Sequence, residues 1–292
     1  MVLDSHLVRR AGHAGHDLVG WLMWDQPAIS RFADLGVPNG AGWLIAWRLA
    51  PLGAVSPAAA AAATYSIAPH VIEAVMGFYR AVTDEDAITA VRDDSIVSGL
   101  AEVAPGLGDQ IAELADDLWR GADAVHAGAR PMFAATRAAP RPQDPVVSAW
   151  LAANCLRELR GDNHWALCAA EDLDGVEVGL LHAVMVEEHE YDGQEWIARS
   201  RGHDDDAIAA GWARLAAKGL ADDHRLNDAG RDFRLELERR TDAATATAWA
   251  AVGGDTTRAF CDAVEPYHDM LLARIDATAG PRWMPAMRSN DR

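Results

Sequence analysis

The spacing of apolar residues is the strongest constraint on how this chain folds. Ile111, Leu114, Ala115 and Leu118 recur at i, i+3, i+4 and i+7, as do Ile208, Trp212, Leu215 and Ala216, while alternating β-branched runs are nearly absent. A stripe repeating every 3.6 residues buries one face of a helix, whereas a half-buried strand needs every second residue apolar. The pattern predicts a mainly α protein. Glycine and proline mark loops at 36–42, 51–57, 105–108, 131, 140–145, 161 and 253–254. The sharpest break is 138–145, where three prolines in eight residues forbid a helix. It falls near the middle of 292 residues, a length that suits two domains or one duplicated unit.

The two sides of that break echo each other. Segments 48–76 and 157–185 are equally long, both begin at Arg, carry Ala-Ala in register and end in Ala-Val-Met. A helix start at Asp84-Glu85-Asp86-Ala87-Ile88 has its counterpart 120 positions later at Asp204-Asp205-Asp206-Ala207-Ile208. Arg120 to Ala124 and Arg239 to Ala243 form a third pair of landmarks in the same order. The second half adds a local pattern with a mechanical reading. A helix from Asp204 to Lys218 stops at Gly219, Leu220 and Leu226 bracket a short polar segment, and Asn227 or Asp228 can cap a long following helix. That order is helix, two-stranded wing, helix. The expected fold is therefore tandem winged-helix-like repeats with small β-wings, related by a pseudo-two-fold. Residues 1–140 form a degenerate helical half and 146–292 the winged-helix half.

Several stretches together resemble the actinobacterial SalK-like helix-turn-helix family, over roughly residues 12–270. They are Arg48-Leu49-Ala50-Pro51-Leu52-Gly53, Leu156 through His164, Leu173-Asp174-Gly175-Val176-Glu177, Arg201-Gly202, Gly219-Leu220 and Glu238 through Asp242. The resemblance implies a winged-helix architecture related to MarR-type regulators and an association with secondary metabolism. Two positions depart from the family pattern: His203 replaces an aromatic residue, and Ala68 replaces a histidine before Pro69.

Charge bears on the partner. The formal net charge is −18 and Lys218 is the sole lysine. Phosphate neutralisation supplies most nonspecific affinity for nucleic acid, so DNA is a possible but disfavoured partner. The acidity is local as well. Between Arg201 and Arg240 stand eight basic and nine acidic residues, with Asp204, Asp205 and Asp206 at the start of the helix that would enter the groove. No run reaches the length of a membrane span, so no membrane partner is expected. Cys155, Cys168 and Cys261 are too scattered for a disulfide framework, and a cytoplasmic protein is predicted. Composition does not define the oligomeric state.

The candidate site residues fall in two groups. Arg157, Arg160, Asp162 and His164 lie within eight residues, read as the end of one helix and the start of the next, with Gly161 at the turn and Asp162 capping the second. The guanidiniums suit a carboxylate or phosphate, and His164 polarised by Asp162 is the candidate catalytic pair. Arg48 holds the matching place in the first half. Trp21, Trp24, Trp43 and Trp47, with His16, are candidates to line a small-molecule pocket between the halves. The alternative for both groups is structural: arginine–carboxylate pairs holding helices together, and tryptophans filling the core. The histidines form no HExxH pair, and His182 with His189 near Glu187, Glu188 and Glu190 reads as a solvated helix end, so no metal and no cofactor are expected. Three readings follow. The first is a small-molecule-binding regulator with weak or lost DNA binding, the second a secondary-metabolite biosynthetic enzyme on the same scaffold, and the third a protein-interaction module.

Overall fold

The computed structural model describes residues 3–186, 191 and 193–289. Helices dominate it, as the apolar spacing predicts. The chain opens with α1 (Ser5–Gly20), α2 (Gln26–Asp34) and α3 (Trp43–Leu49), continues through α4 (Pro57–Thr64), α5 (Pro69–Arg80) and α6 (Glu85–Val103), and then makes the short α7 (Leu107–Ala112), α8 (Ala115–Asp123) and α9 (Pro131–Ala138). After the prolines come α10 (Pro145–Ala170), α11 (Gly175–Leu181), α12 (Trp196–Ser200) and α13 (Asp205–Ala217), the hairpin β1 (Ala221–Asp222) and β2 (Arg225–Leu226), then α14 (Asp228–Val252), α15 (Gly254–Val264) and α16 (His268–Ala279). The stripe from Ile111 to Leu118 is shared between α7 and α8 rather than carried by one helix.

Local signals set most boundaries. Asp144 caps α10 by accepting from the amides of Val146 and Val147 at 2.8 and 3.1 Å, with Pro145 as the first helical residue, where its missing N–H costs nothing. Asp84 and Asp204, the matched starts of the two halves, cap α6 and α13 in the same way. The wing forms where the polar segment predicts it. Ala221 pairs with Leu226, and Asp223 and His224 both take positive φ, the geometry of a two-residue hairpin turn. Asn227 caps α14. Gly230 in the first turn of α14 lies so close to the Leu220 carbonyl that a Cβ would sit 2.1 Å from its oxygen, so only glycine lets the wing dock there.

Four expectations need correction. Gly161 does not end a helix: α10 runs unbroken from Pro145 to Ala170. An interior glycine costs about 1 kcal/mol relative to alanine, and burial of Trp150, Leu151, Cys155, Leu156 and Leu159 before it and Cys168 after it outweighs that local preference. The two equal-length segments consequently differ, because 157–165 is helical while 48–56 passes from α3 through a 3-10 turn into a loop before α4. The only sheet among the described residues is β1–β2, so the first half has no wing there. Finally, the prolines at 140–145 separate α9 from α10 but do not separate two cores. One apolar cluster gathers residues from Leu3 to Leu159 together with Ala248 to Met287, and a second runs from Cys168 to Leu237 around α11, α13 and the wing. Helices α10 and α14 pass through both clusters and hold them together. No single described helix is long and apolar enough to cross a membrane.

Candidate functional site

Between the two apolar clusters, α10 and α14 meet through polar side chains. The α10 stretch holds Arg157, Glu158, Arg160, Asn163 and His164; the α14 stretch holds Arg234, Glu238, Thr241, Asp242 and Thr245. Buried charges require partners, and most have them. Arg48, from α3, binds Glu158 with a two-pronged contact at 2.7 and 2.8 Å, and Arg157 reaches the same carboxylate at 2.9 Å. Arg160 bonds Glu238, and Asp242 at 3.1 Å; Arg234 bonds Glu238 at 2.6 Å, and Arg9 of α1 bonds Asp242 at 2.8 Å. Gly12 allows this crossing, since a Cβ there would lie 3.0 Å from the Arg160 Nε.

The guanidiniums outnumber the carboxylates. Arg9, Arg48, Arg157, Arg160 and Arg234 share the carboxylates of Glu158, Glu238 and Asp242, and a sixth, Arg201, lies near Arg48. Arg201 is the one left over. It stands in the Arg201–His203 turn between α12 and α13, and among the described residues its guanidinium bonds only the Ser66 hydroxyl. Burial, with Arg48 nearby, lowers its pKa to about 10. Burial likewise lowers Arg157 to about 10. Glu238 is pushed up by burial, but Arg160 and Arg234 outweigh that and hold it far below the usual carboxylate range.

Three histidines face this excess of positive charge. His164 Nδ1 lies 3.0 Å from the Thr241 hydroxyl, which itself donates to the Leu237 carbonyl; Nδ1 is therefore the donor, leaving Nε2 unprotonated. Burial and then Arg234 press the His164 pKa down to about 3. His16 and His182 are also held well below the ordinary value, by burial first and by Arg157 and Arg234 respectively. His16 Nδ1, His182 Nε2, Arg157 Nε and Trp165 Nε1 are buried and have no hydrogen-bond partner among the described residues. Such orphaned groups cost about 1–3 kcal/mol each, and here they share one centre.

The fold thus brings together His16, Arg48, Arg157, Arg160 and His164, but not the other candidates. Asp162 points away from His164, as residues two apart on a helix do. Its carboxylate accepts from the Phe133 amide at 2.8 Å and caps α9, rather than the second helix expected at Gly161. Burial raises its pKa to about 7 against the amides of Phe133 and Met132. The His164–Asp162 acid–base pair is therefore absent, and a histidine held near 3 is a feeble general base at neutral pH. Trp21, Trp43 and Trp47 are core residues, each at most 1% exposed. Trp21 and Trp43 donate to the Leu18 and Leu22 carbonyls, and Trp47 packs edge-on against Trp150. Trp24 lies against Trp283, 4.4 Å between ring centroids. His182 is no solvated helix end but part of the centre; Glu187, Glu188, His189 and Glu190 lie outside the described residues. Glu158, Arg201, Glu238 and Asp242 are site residues that charge spacing alone did not single out, although each falls within a stretch carrying the family resemblance.

Two cavities are open to a ligand among the described residues. One of about 30 Å³, bordered by Arg48, Thr64 and Ile67, adjoins the centre. A larger one, about 340 Å³, lies beside the wing and is bordered by Gln194, Glu195, Arg199, His224 and Arg225; there Glu195 bonds Arg199 and Trp212, and Gln194 accepts from the Leu226 amide. Of the two, the smaller borders a residue of the charged centre, Arg48.

Three basic side chains on or just after α12 and α13 are held by nearby acids. Arg199 pairs with Glu195 and Asp205, Arg214 with Asp174 and Glu177, and Lys218 with Glu177. Asp205 and Asp206 stay exposed in the first turn of α13.

A helix-turn-helix family profile matches residues 8–278, nearly the whole chain. No curated protein and no solved structure matches it.

Proposed function

We propose that the chain, which belongs to this helix-turn-helix family, binds a small anionic molecule in the arginine–histidine centre and acts as a regulator whose direct affinity for DNA is weak. One observation carries this reading. Arg201, in the turn between α12 and α13 that we read as the helix-turn-helix unit, faces a centre already rich in guanidiniums and has no carboxylate partner among the described residues. A carboxylate or phosphate there would neutralise the excess charge and accept from the orphaned donors. Family membership makes DNA the expected type of partner. Weak affinity follows because Arg199, Arg214 and Lys218 would have to leave acidic partners to reach phosphates, and Asp205 and Asp206 would face them. The relation to MarR-type winged helices and the SalK-like resemblance are part of the same reading, supported by a hairpin placed directly between α13 and α14. The enzyme reading loses support with its acid–base pair.

Native mass spectrometry of the purified protein tests the proposal. A bound small anion is expected on the wild type and should be missing from Arg201→Gln, with Arg199→Gln unaffected. Equal retention by Arg201→Gln would place the anion elsewhere.

A further inference from the structure

The segment 64–68, between α4 and α5, straps the first apolar cluster to the helix-turn-helix unit. Tyr65 has φ 53° and ψ −65°, and the Ser66 amide bonds the Thr64 carbonyl at 2.7 Å. This is a γ-turn with positive φ, a strained conformation for a tyrosine. The strap's contacts run to the second cluster. Tyr65 hydroxyl donates to the Leu173 carbonyl and its ring stacks on Trp165, centroids 5.4 Å apart. Ala68 amide bonds the Arg201 carbonyl at 2.9 Å, and the His203 ring meets the Ser66 carbonyl at 3.1 Å. Ser66, 1% exposed, gives its hydroxyl oxygen to the Arg201 guanidinium.

We infer that Ser66 is an internal stand-in for the ligand: its hydroxyl occupies the place on Arg201 that an anionic oxygen takes, and displacing it loosens the strap from the helix-turn-helix turn. This rests on the anion-binding reading above. A neutral hydroxyl is a poorer partner for a buried guanidinium than a carboxylate or phosphate oxygen, so the exchange favours the ligand. The cavity bordered by Arg48 and by Thr64 and Ile67 of the strap, about 30 Å³, has room for roughly one water, and Ser66 is buried, so a larger anion reaches Arg201 only when the strap moves. That movement passes to α12 and α13 through residues 201–203, and relief of the positive φ at Tyr65 offsets part of its cost.

Calorimetric titration of the full chain with inorganic phosphate and, separately, with succinate tests the exchange, alongside amide hydrogen exchange over residues 196–217. Ser66→Ala removes the competitor and should tighten binding of the probe that binds wild type by about tenfold. Ser66→Asp supplies a permanent partner and should weaken that binding by about 100-fold or more. Probe-saturated wild type should exchange faster over 196–217 than the probe-free protein. If a probe binds wild type while both Ser66 variants bind it unchanged, or exchange over 196–217 stays the same, the stand-in role is overturned and the anion site stands. If no probe binds wild type, the anion reading itself fails.

Discussion

Glu238→Ala should destabilise the fold by about 3–5 kcal/mol, because it removes the shared carboxylate from two buried guanidiniums. Arg160 and Arg234 both bond Glu238 where α10 crosses α14, and the glutamate is 5% exposed. Desolvation makes an unpaired arginine there costly, and Asp242 is already shared by Arg160 and Arg9. Denaturant unfolding monitored by circular dichroism gives the free energy. Glu236→Ala, two residues away, is the control: Glu236 pairs with Arg239 in solvent, so its loss should leave stability unchanged. Equal midpoints for the two variants would show that the buried network does not hold the cores together.

The second large effect concerns acid. His164 has a folded pKa near 3 against an ordinary 6.5, so below about pH 6.5 the unfolded chain binds a proton that the folded one excludes. Stability contributed by the neutral ring is therefore complete above 6.5 and lost progressively as pH falls toward 3. Between pH 7.5 and 4 this amounts to about 3 kcal/mol at about 1.4 kcal/mol per pH unit. His16 and His182 act in the same direction. Asp162 acts oppositely: its folded pKa near 7 lies above its ordinary 3.8, so its contribution is complete below 3.8 and lost as pH rises through 7. His164→Asn keeps a donor for Thr241 and cannot titrate. Its unfolding free energy should fall less than that of wild type between pH 7.5 and 4, by roughly the same 3 kcal/mol. Parallel pH profiles for the two proteins would contradict the burial of a neutral His164 among the arginines.

What could be read from the sequence follows the range of the forces involved. The caps at Asp84, Asp204 and Asn227 and the turn of the wing are set by residues three apart, and they form where spacing places them. Gly161 failed as a helix stop because its cost is local and small, whereas the burial that overrides it comes from other helices. The proline run marked a real break in the helices but could not reveal that α10 and α14 thread both apolar clusters. The same distinction governs the site. His16, Arg48, Arg157, Arg160 and His164 stand out as charged or titratable groups beside apolar stripes. Their counterparts on α14 lie 77 to 82 positions away from the α10 residues they meet, and no periodicity links them. Asp162 has suitable chemistry for an acid–base partner, yet two residues along a helix turn it toward α9. The tryptophans were recognisable as large apolar groups, but their packing into the core is tertiary.

In the function proposed above, the arginine–histidine centre is an anion site completed by the Arg201–His203 turn. Calorimetric comparison of wild type with Arg201→Gln, titrated with inorganic phosphate and with succinate at constant ionic strength, tests it most directly. Saturable one-to-one binding of at least one anion to wild type, weakened by about tenfold or more in Arg201→Gln, is the predicted result. No saturable binding, or the same affinity in both proteins, would contradict it.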